Sequence, residues 1–131
     1  MMQNSAILCV DDDEMIVVSL KQELMSHFGS RFQYETALNA QEAMNIIDDL
    51  VDCGVKVILI LSDWLMPGMN GDEFLVKVNE KYPEIKALIV TGYMDMAAIS
   101  PNQKKINLKG IIHKPWNSED LILQVESCVG Y

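Results

Sequence analysis

Residues 57–71 read VILILSDWLMPGMNG. The run from Val57 to Ser62 is short, apolar as far as its last residue and rich in β-branched side chains. That is how a strand reads when both of its faces are covered, as in a parallel sheet flanked by helices. It stops on a carboxylate, Asp63, and passes into a loop marked by Pro67, Gly68, Asn70 and Gly71. A second continuous run, ALIV at 87–90, also stops on a polar residue, Thr91.

On either side of these runs the pattern repeats. Ala6–Val10, Phe32–Ala37 and Gly110–His113 supply three more strands, five in all with Val57–Ser62 and Ala87–Val90. The stretches between them have helical period. Val17, Leu20, Leu24 and Phe28 share a face, as do Ala43, Ile47, Leu50 and Val51. Phe74, Leu75, Val78 and Tyr82 form a third set, and Leu121, Ile122, Val125 and Cys128 a last one. Asp13, Asn39 and Asn117 are placed to cap helices, and Gly54, Gly71 and Gly110 to punctuate element ends. Ser100-Pro101-Asn102-Gln103 has the grammar of a helix start, which predicts a fourth helix beginning or bending at Pro101 after a long Gly92–Ile99 loop. Strand and helix alternating five times predict an α/β fold: one doubly wound, five-stranded parallel sheet with helices on both faces.

Size and charge narrow the function. The chain has 131 residues, enough for one domain over 1–131 that buries about two-thirds of its unfolded surface. Ten Lys and Arg against 19 Asp and Glu give a net charge of −9, which argues against nucleic acid or an anionic membrane as a direct partner. No apolar run is long enough to span a bilayer, and MMQNSAILCV lacks the basic start of a secretory signal. Cys9, Cys53 and Cys128 are odd in number and widely spaced, which suits a reducing cytoplasm and neither zinc nor a disulfide framework. Cys9 and Cys128 read as core.

In a sheet of this kind, sites form beyond the carboxyl ends of the strands. There the sequence places Asp11, Asp12, Asp13 and Glu14 after the first strand, Asp63 after the third, Thr91 after the fourth and Lys114 after the fifth. Neighbouring carboxylates repel unless protonated or neutralised by a cation, and Mg²⁺ suits a few carboxylates completed by water and phosphate oxygens. Asp11, Asp12 and Asp63 are the candidate ligands. A carboxylate also serves as a nucleophile toward phosphorus, and Lys114 and the Thr91 hydroxyl suit the charged oxygens of a transferring phosphoryl group.

ILCVDDDE, LSDWLMPGMNGDEF, LIVTG and HKPW, in this order and spacing, resemble the receiver domain of two-component response regulators over the whole chain. The resemblance implies a flavodoxin-like strand order 2-1-3-4-5 and a phosphorelay function. Asp63 would accept phosphate from a histidine kinase, and the domain would assist its own phosphorylation and dephosphorylation without being an enzyme acting on a separate substrate. Asp11, Asp12 and Asp63 would hold Mg²⁺ with the backbone carbonyl of Leu65. Thr91 and Lys114 would bind the phosphoryl oxygens, and Lys114–Pro115 would be cis. The face made by the fourth helix, fifth strand and fifth helix would control a partner protein or fused output domain, and would support at most a weak, salt-sensitive homodimer. One departure stands out. Receivers often carry an aromatic three residues before the lysine, and here that residue is Ile111, which removes the usual threonine–aromatic coupling.

Plainer readings compete at single positions. An acidic cluster is commonly a solvated helix start, which is the reading for Asp13 and Glu14. His27 and His113 read as structural, the scattered methionines as core filler, and Trp64 and Trp116 as packing beside the site. A haloacid-dehalogenase-type phosphatase needs DxDx[TV], and Met15 breaks that pattern. A flavodoxin needs a neutral phosphate loop after its first strand, where DDDE would repel the ligand. A receiver that no longer takes phosphate fits poorly with a complete acceptor set.

Overall fold

In the computed structural model, which describes residues 4–92 and 105–130, the parallel sheet has the order β2-β1-β3-β4-β5. Its strands are β1 (Ser5–Val10), β2 (Gln33–Ala37), β3 (Lys56–Ser62), β4 (Lys86–Thr91) and β5 (Leu108–His113). The helices are α1 (Glu14–Phe28), α2 (Ala40–Asp52), α3 (Gly71–Lys81) and α4 (Ser118–Val129), with one 3-10 turn at Gly29–Arg31 after α1. The fold class and strand order expected above are observed. The helix start at Pro101 and the Gly92–Ile99 loop fall wholly or mainly outside the described residues.

Alternation along the strands divides the core in two, because successive side chains point to opposite faces. Leu8, Val10, Ile60 and Ile89 face α2 and α3, where they meet Ile47, Phe74 and Val78. Ile7, Cys9, Leu59, Leu61, Leu88 and Val90 face α1 and α4, against Leu20, Leu24, Phe28 and Val125. Full burial of one such Leu, Ile or Phe contributes about 1.5–3 kcal/mol, so each central strand is secured from both sides. Burial of this kind sets the register, since a slip of one residue would exchange the two faces.

Local signals fix where the helices begin. Asp13 Oδ1 accepts from the Met15 amide at 2.9 Å, Asn39 Oδ1 from Glu42 at 2.8 Å and Asn117 Oδ1 from Asp120 at 3.1 Å. Each satisfies an amide that has no partner within its helix. Several finer expectations are corrected. Val51 is exposed: it lies in the last turn of α2, past the buried Ala40, Ala43 and Ile47. Tyr82 lies just beyond α3 as its C-cap and bonds Asp48 through its hydroxyl at 2.6 Å. Gly71 opens α3 instead of closing an element, and Gly110 lies inside β5, next to a shift in the pairing with β4.

Candidate functional site

The chain leaves β1 toward one sheet edge, returns as β2, and then crosses to β3 on the other side of β1. Asp11 and Asp63 therefore stand side by side at the point where the winding reverses. Backbone bonds continue the ladder past the strand ends and set the spacing. The Asp11 amide donates to the Ala37 carbonyl at 3.2 Å, and the Asp63 amide to the Val10 carbonyl at 2.9 Å. On the far side, the Lys114 amide donates to the Thr91 carbonyl at 2.9 Å. Parallel pairing thus delivers Asp11, Asp63, Thr91 and Lys114 to one edge, although 103 positions separate Asp11 from Lys114.

Asp11, Asp63 and Thr91 are buried, and Asp12 is exposed. Asp11 Oδ2 pairs with Lys114 Nζ at 2.6 Å, while its Oδ1 accepts from the Asp13 amide at 2.9 Å. Asp63 Oδ1 accepts from the Trp64 amide at 2.8 Å and lies 3.5 Å from Lys114 Nζ. Lys114–Pro115 is cis. The Asp63 main chain is crowded from behind, where Gly71 packs so closely that a Cβ there would overlap the Asp63 carbonyl. The Gly71 amide also donates to the Trp64 carbonyl at 2.8 Å, which folds the loop back over the end of β3.

Burial first, and then the charge of Asp11, hold the Asp63 carboxyl above its ordinary range, against the pull of Lys114 and the Trp64 amide. Burial acts to lower Lys114. The Asp11 hydrogen bond and the two carboxylate charges overcome it, so the ammonium is held above its usual range. The edge is thus a dense array of charge with more negative than positive members. Asp11, Asp12 and Asp63 each offer an oxygen, and these lie within 4.8 Å of one another. Three clustered carboxylates are hard oxygen donors, the ligand class that Mg²⁺ takes, with its remaining positions left to water and phosphate oxygens.

The structure brings together Asp11, Asp12, Asp63 and Lys114, and it ends β4 on buried Thr91 beside them. Leu65 stands two residues past Asp63 with its side chain turned to solvent. Trp64 and Met66 are buried against the α2–α3 side of the core, as expected for packing residues. Ile111 is half-buried on that same side, in register with Ile89. His113 is exposed, while His27 packs edge-on against Phe28 and lies 3.2 Å from Glu126. Burial pushes the Cys9 thiol up to about 12, which leaves it inert as a nucleophile.

Sequence reasoning missed Glu23. It accepts from Trp116 Nε1 at 2.6 Å and from the Ser118 hydroxyl at 2.5 Å, tying α1 to the loop after Lys114. No local pattern carries that signal, because the partners lie 93 and 95 positions away.

Comparison with known proteins shows the family and the fold. The pattern of one family, described as response regulator receiver domain, matches residues 7–126. The hydrogenase transcriptional regulatory protein HoxA of Cupriavidus necator is 31% identical over 127 residues, covering 97% of this chain and 24% of its own length. The DNA-binding transcriptional regulator NtrC of Escherichia coli K12 is 26% identical, over 99% of this chain and 26% of its own. The chain therefore spans about a quarter of the length of these relatives. Among solved structures, a CheY-like receiver domain protein from Methanospirillum hungatei superposes with a TM-score of 0.80 at 31% identity, covering 97% of this chain and 93% of that one. A signal receiver domain from Pseudomonas fluorescens reaches 0.84 at 23% identity, over 98% and 96%, and so shares the fold.

Proposed function

This chain belongs to the response regulator receiver family, and from that premise we propose that Asp63 is its phosphoacceptor, charged by a histidine kinase in a Mg²⁺-dependent transfer. One observation carries the reading. A single ammonium, Lys114 Nζ, lies within ion-pair distance of both Asp11 and Asp63, where Asp12 completes an oxygen cluster.

In the transfer, an Asp63 carboxylate oxygen forms the new bond to phosphorus as the bond from phosphorus to the histidine nitrogen breaks. The departing imidazole keeps that bond's electron pair. Charge shifts onto the phosphoryl oxygens, and the residues at the edge are suited to receive it. Lys114 supplies an ammonium that already reaches toward Asp63, and Thr91 a hydroxyl from the end of β4. Asp11, Asp12 and Asp63, with the Leu65 carbonyl, would hold Mg²⁺, which when bound neutralises the crowded carboxylates and draws on the phosphoryl charge. The same groups favour attack by water on the acyl phosphate, so the domain assists its own dephosphorylation.

Phosphorylation is read out through the surface carried by β5 and α4, toward a fused output domain or partner protein in the cytoplasm. This face would support at most a weak, salt-sensitive homodimer, because exposed ion pairs contribute little. With Ile111 in place of an aromatic, the signal travels through backbone and packing shifts.

Acetyl phosphate with Mg²⁺ should add one phosphoryl mass to the folded chain, and none to Asp63→Asn. A parent that gains no adduct, or a variant that still does, overturns the assignment.

A further inference from the structure

The stretch Lys114–Ser118 joins the phosphoacceptor edge to α4, and the body of the protein grips it along its length. The Lys114 amide is held by the Thr91 carbonyl at 2.9 Å, and Asn117 caps α4 through the Asp120 amide at 3.1 Å. Between them, both oxygens of one carboxylate on α1 are committed, one to the loop and one to the first residue of α4. Glu23 Oε2 accepts from Trp116 Nε1 at 2.6 Å, and Glu23 Oε1 accepts from the Ser118 hydroxyl at 2.5 Å. Trp116 is itself half-buried against the α1–α4 side of the core.

We propose that Glu23 is a positioning residue for phosphoryl transfer, the anchor that sets where Lys114 places its ammonium between Asp11 and Asp63. The inference rests on Asp63 being the phosphoacceptor. A lysine head sits on a flexible four-carbon stem, so its mean position follows from where the backbone is held. On the N-terminal side of Lys114 the β4–β5 ladder holds it. On the C-terminal side Asn117 caps α4, and the tie to α1 runs through Trp116 and Ser118, both of which end on Glu23. Glu23 forms its two bonds away from the reacting groups. Its removal therefore leaves Asp11, Asp12, Asp63, Thr91 and Lys114 chemically intact and loosens only the frame. Misplacement of a reacting group by about 1 Å costs on the order of 100-fold in rate, and a loosened lysine falls short of that.

The test uses the full chain as parent, Glu23→Ala and Glu23→Gln. Adduct formation from acetyl phosphate is followed by intact mass, and Lys114 by its ¹³Cε resonance in lysine-labelled protein, assigned with Lys114→Arg. Glu23→Ala should slow phosphorylation on the order of tenfold and move the Lys114 resonance toward that of a free lysine, with Glu23→Gln between the two. A purely structural contact between α1 and the loop would leave that resonance in place. An unchanged rate, or an unmoved resonance in the folded variant, overturns the proposal. If Glu23→Ala fails to fold, Glu23→Gln carries both measurements, because it keeps the size and one acceptor oxygen. A parent that forms no adduct contradicts the Asp63 assignment instead, and the resonance still reports on Glu23.

Discussion

Lys114 makes its short ion pair with Asp11, at 2.6 Å, so the cation at the site is held by a carboxylate other than the proposed acceptor. The pair is largely buried, with 22% of the lysine side chain and 2% of the aspartate side chain exposed. Removing one partner from such a pair strands the other charge, at a cost of about 3 kcal/mol. Lys114→Ala should therefore lower stability by about that amount in urea unfolding. A loss well under about 1 kcal/mol, the range of exposed pairs, would show that Lys114 is not holding Asp11 in solution.

Asp63 predicts the opposite sign. Its carboxyl is held above its ordinary 3.8 in the fold, by burial first and by Asp11 second. Between the unfolded and the folded value the native state binds more protons than the unfolded chain. Stability thus falls as pH rises through that window and is level above it. Asp63→Asn removes the penalty, so the variant should melt higher than the parent at pH 7. Its advantage should shrink as pH falls through the same window, and Mg²⁺ added to the parent should narrow it. Equal melting at pH 7 without Mg²⁺ would contradict the burial and repulsion described here.

Mg²⁺ binding should depend on Asp12 and Asp63 and weaken on acidification, because only ionised carboxylates bind the ion. Trp64 offers the readout, since its amide already bonds Asp63 Oδ1 at 2.8 Å. A fluorescence titration should give weaker binding in Asp12→Ala than in the parent at pH 7. Identical titrations would rule out Asp12 as a ligand.

These expectations differ in how visible they are in the sequence. Asp63 and Thr91 could be found because each ends a continuous apolar strand, and parallel pairing sends every strand's carboxyl end to one edge. The same logic gave five strands to within a residue or two and three helix caps, since both follow from local pattern. Pairings that depend on how helices pack were hidden. Val51 shares a helical face with Ile47 in projection, yet it sits in the last turn of α2 and is exposed. Glu23 reads as one more surface charge until α4 is placed beside α1. Gly71 looks like a turn residue, and only the fold shows the Asp63 carbonyl where its Cβ would be.

Gly71 is open to a direct check. A methyl group there must displace backbone, because the atoms it would meet are the Asp63 carbonyl and the Trp64 Cα. Gly71→Ala should cost about 1–3 kcal/mol, the range of overpacked sites, and should slow phosphorylation by shifting the acceptor loop. Full stability together with full reactivity would show that the loop does not close on Gly71 as described.

The central claim, that this domain carries its phosphoryl group on Asp63, is tested most directly by trapping the acyl phosphate. After reaction with acetyl phosphate and Mg²⁺, borohydride reduces an aspartyl phosphate to a side-chain alcohol, which peptide mass mapping can locate. The reduced residue is expected at position 63 alone, in Mg²⁺-dependent yield. Reduction at Asp11 or Asp12, or a phosphoryl adduct that survives borohydride, would contradict the account.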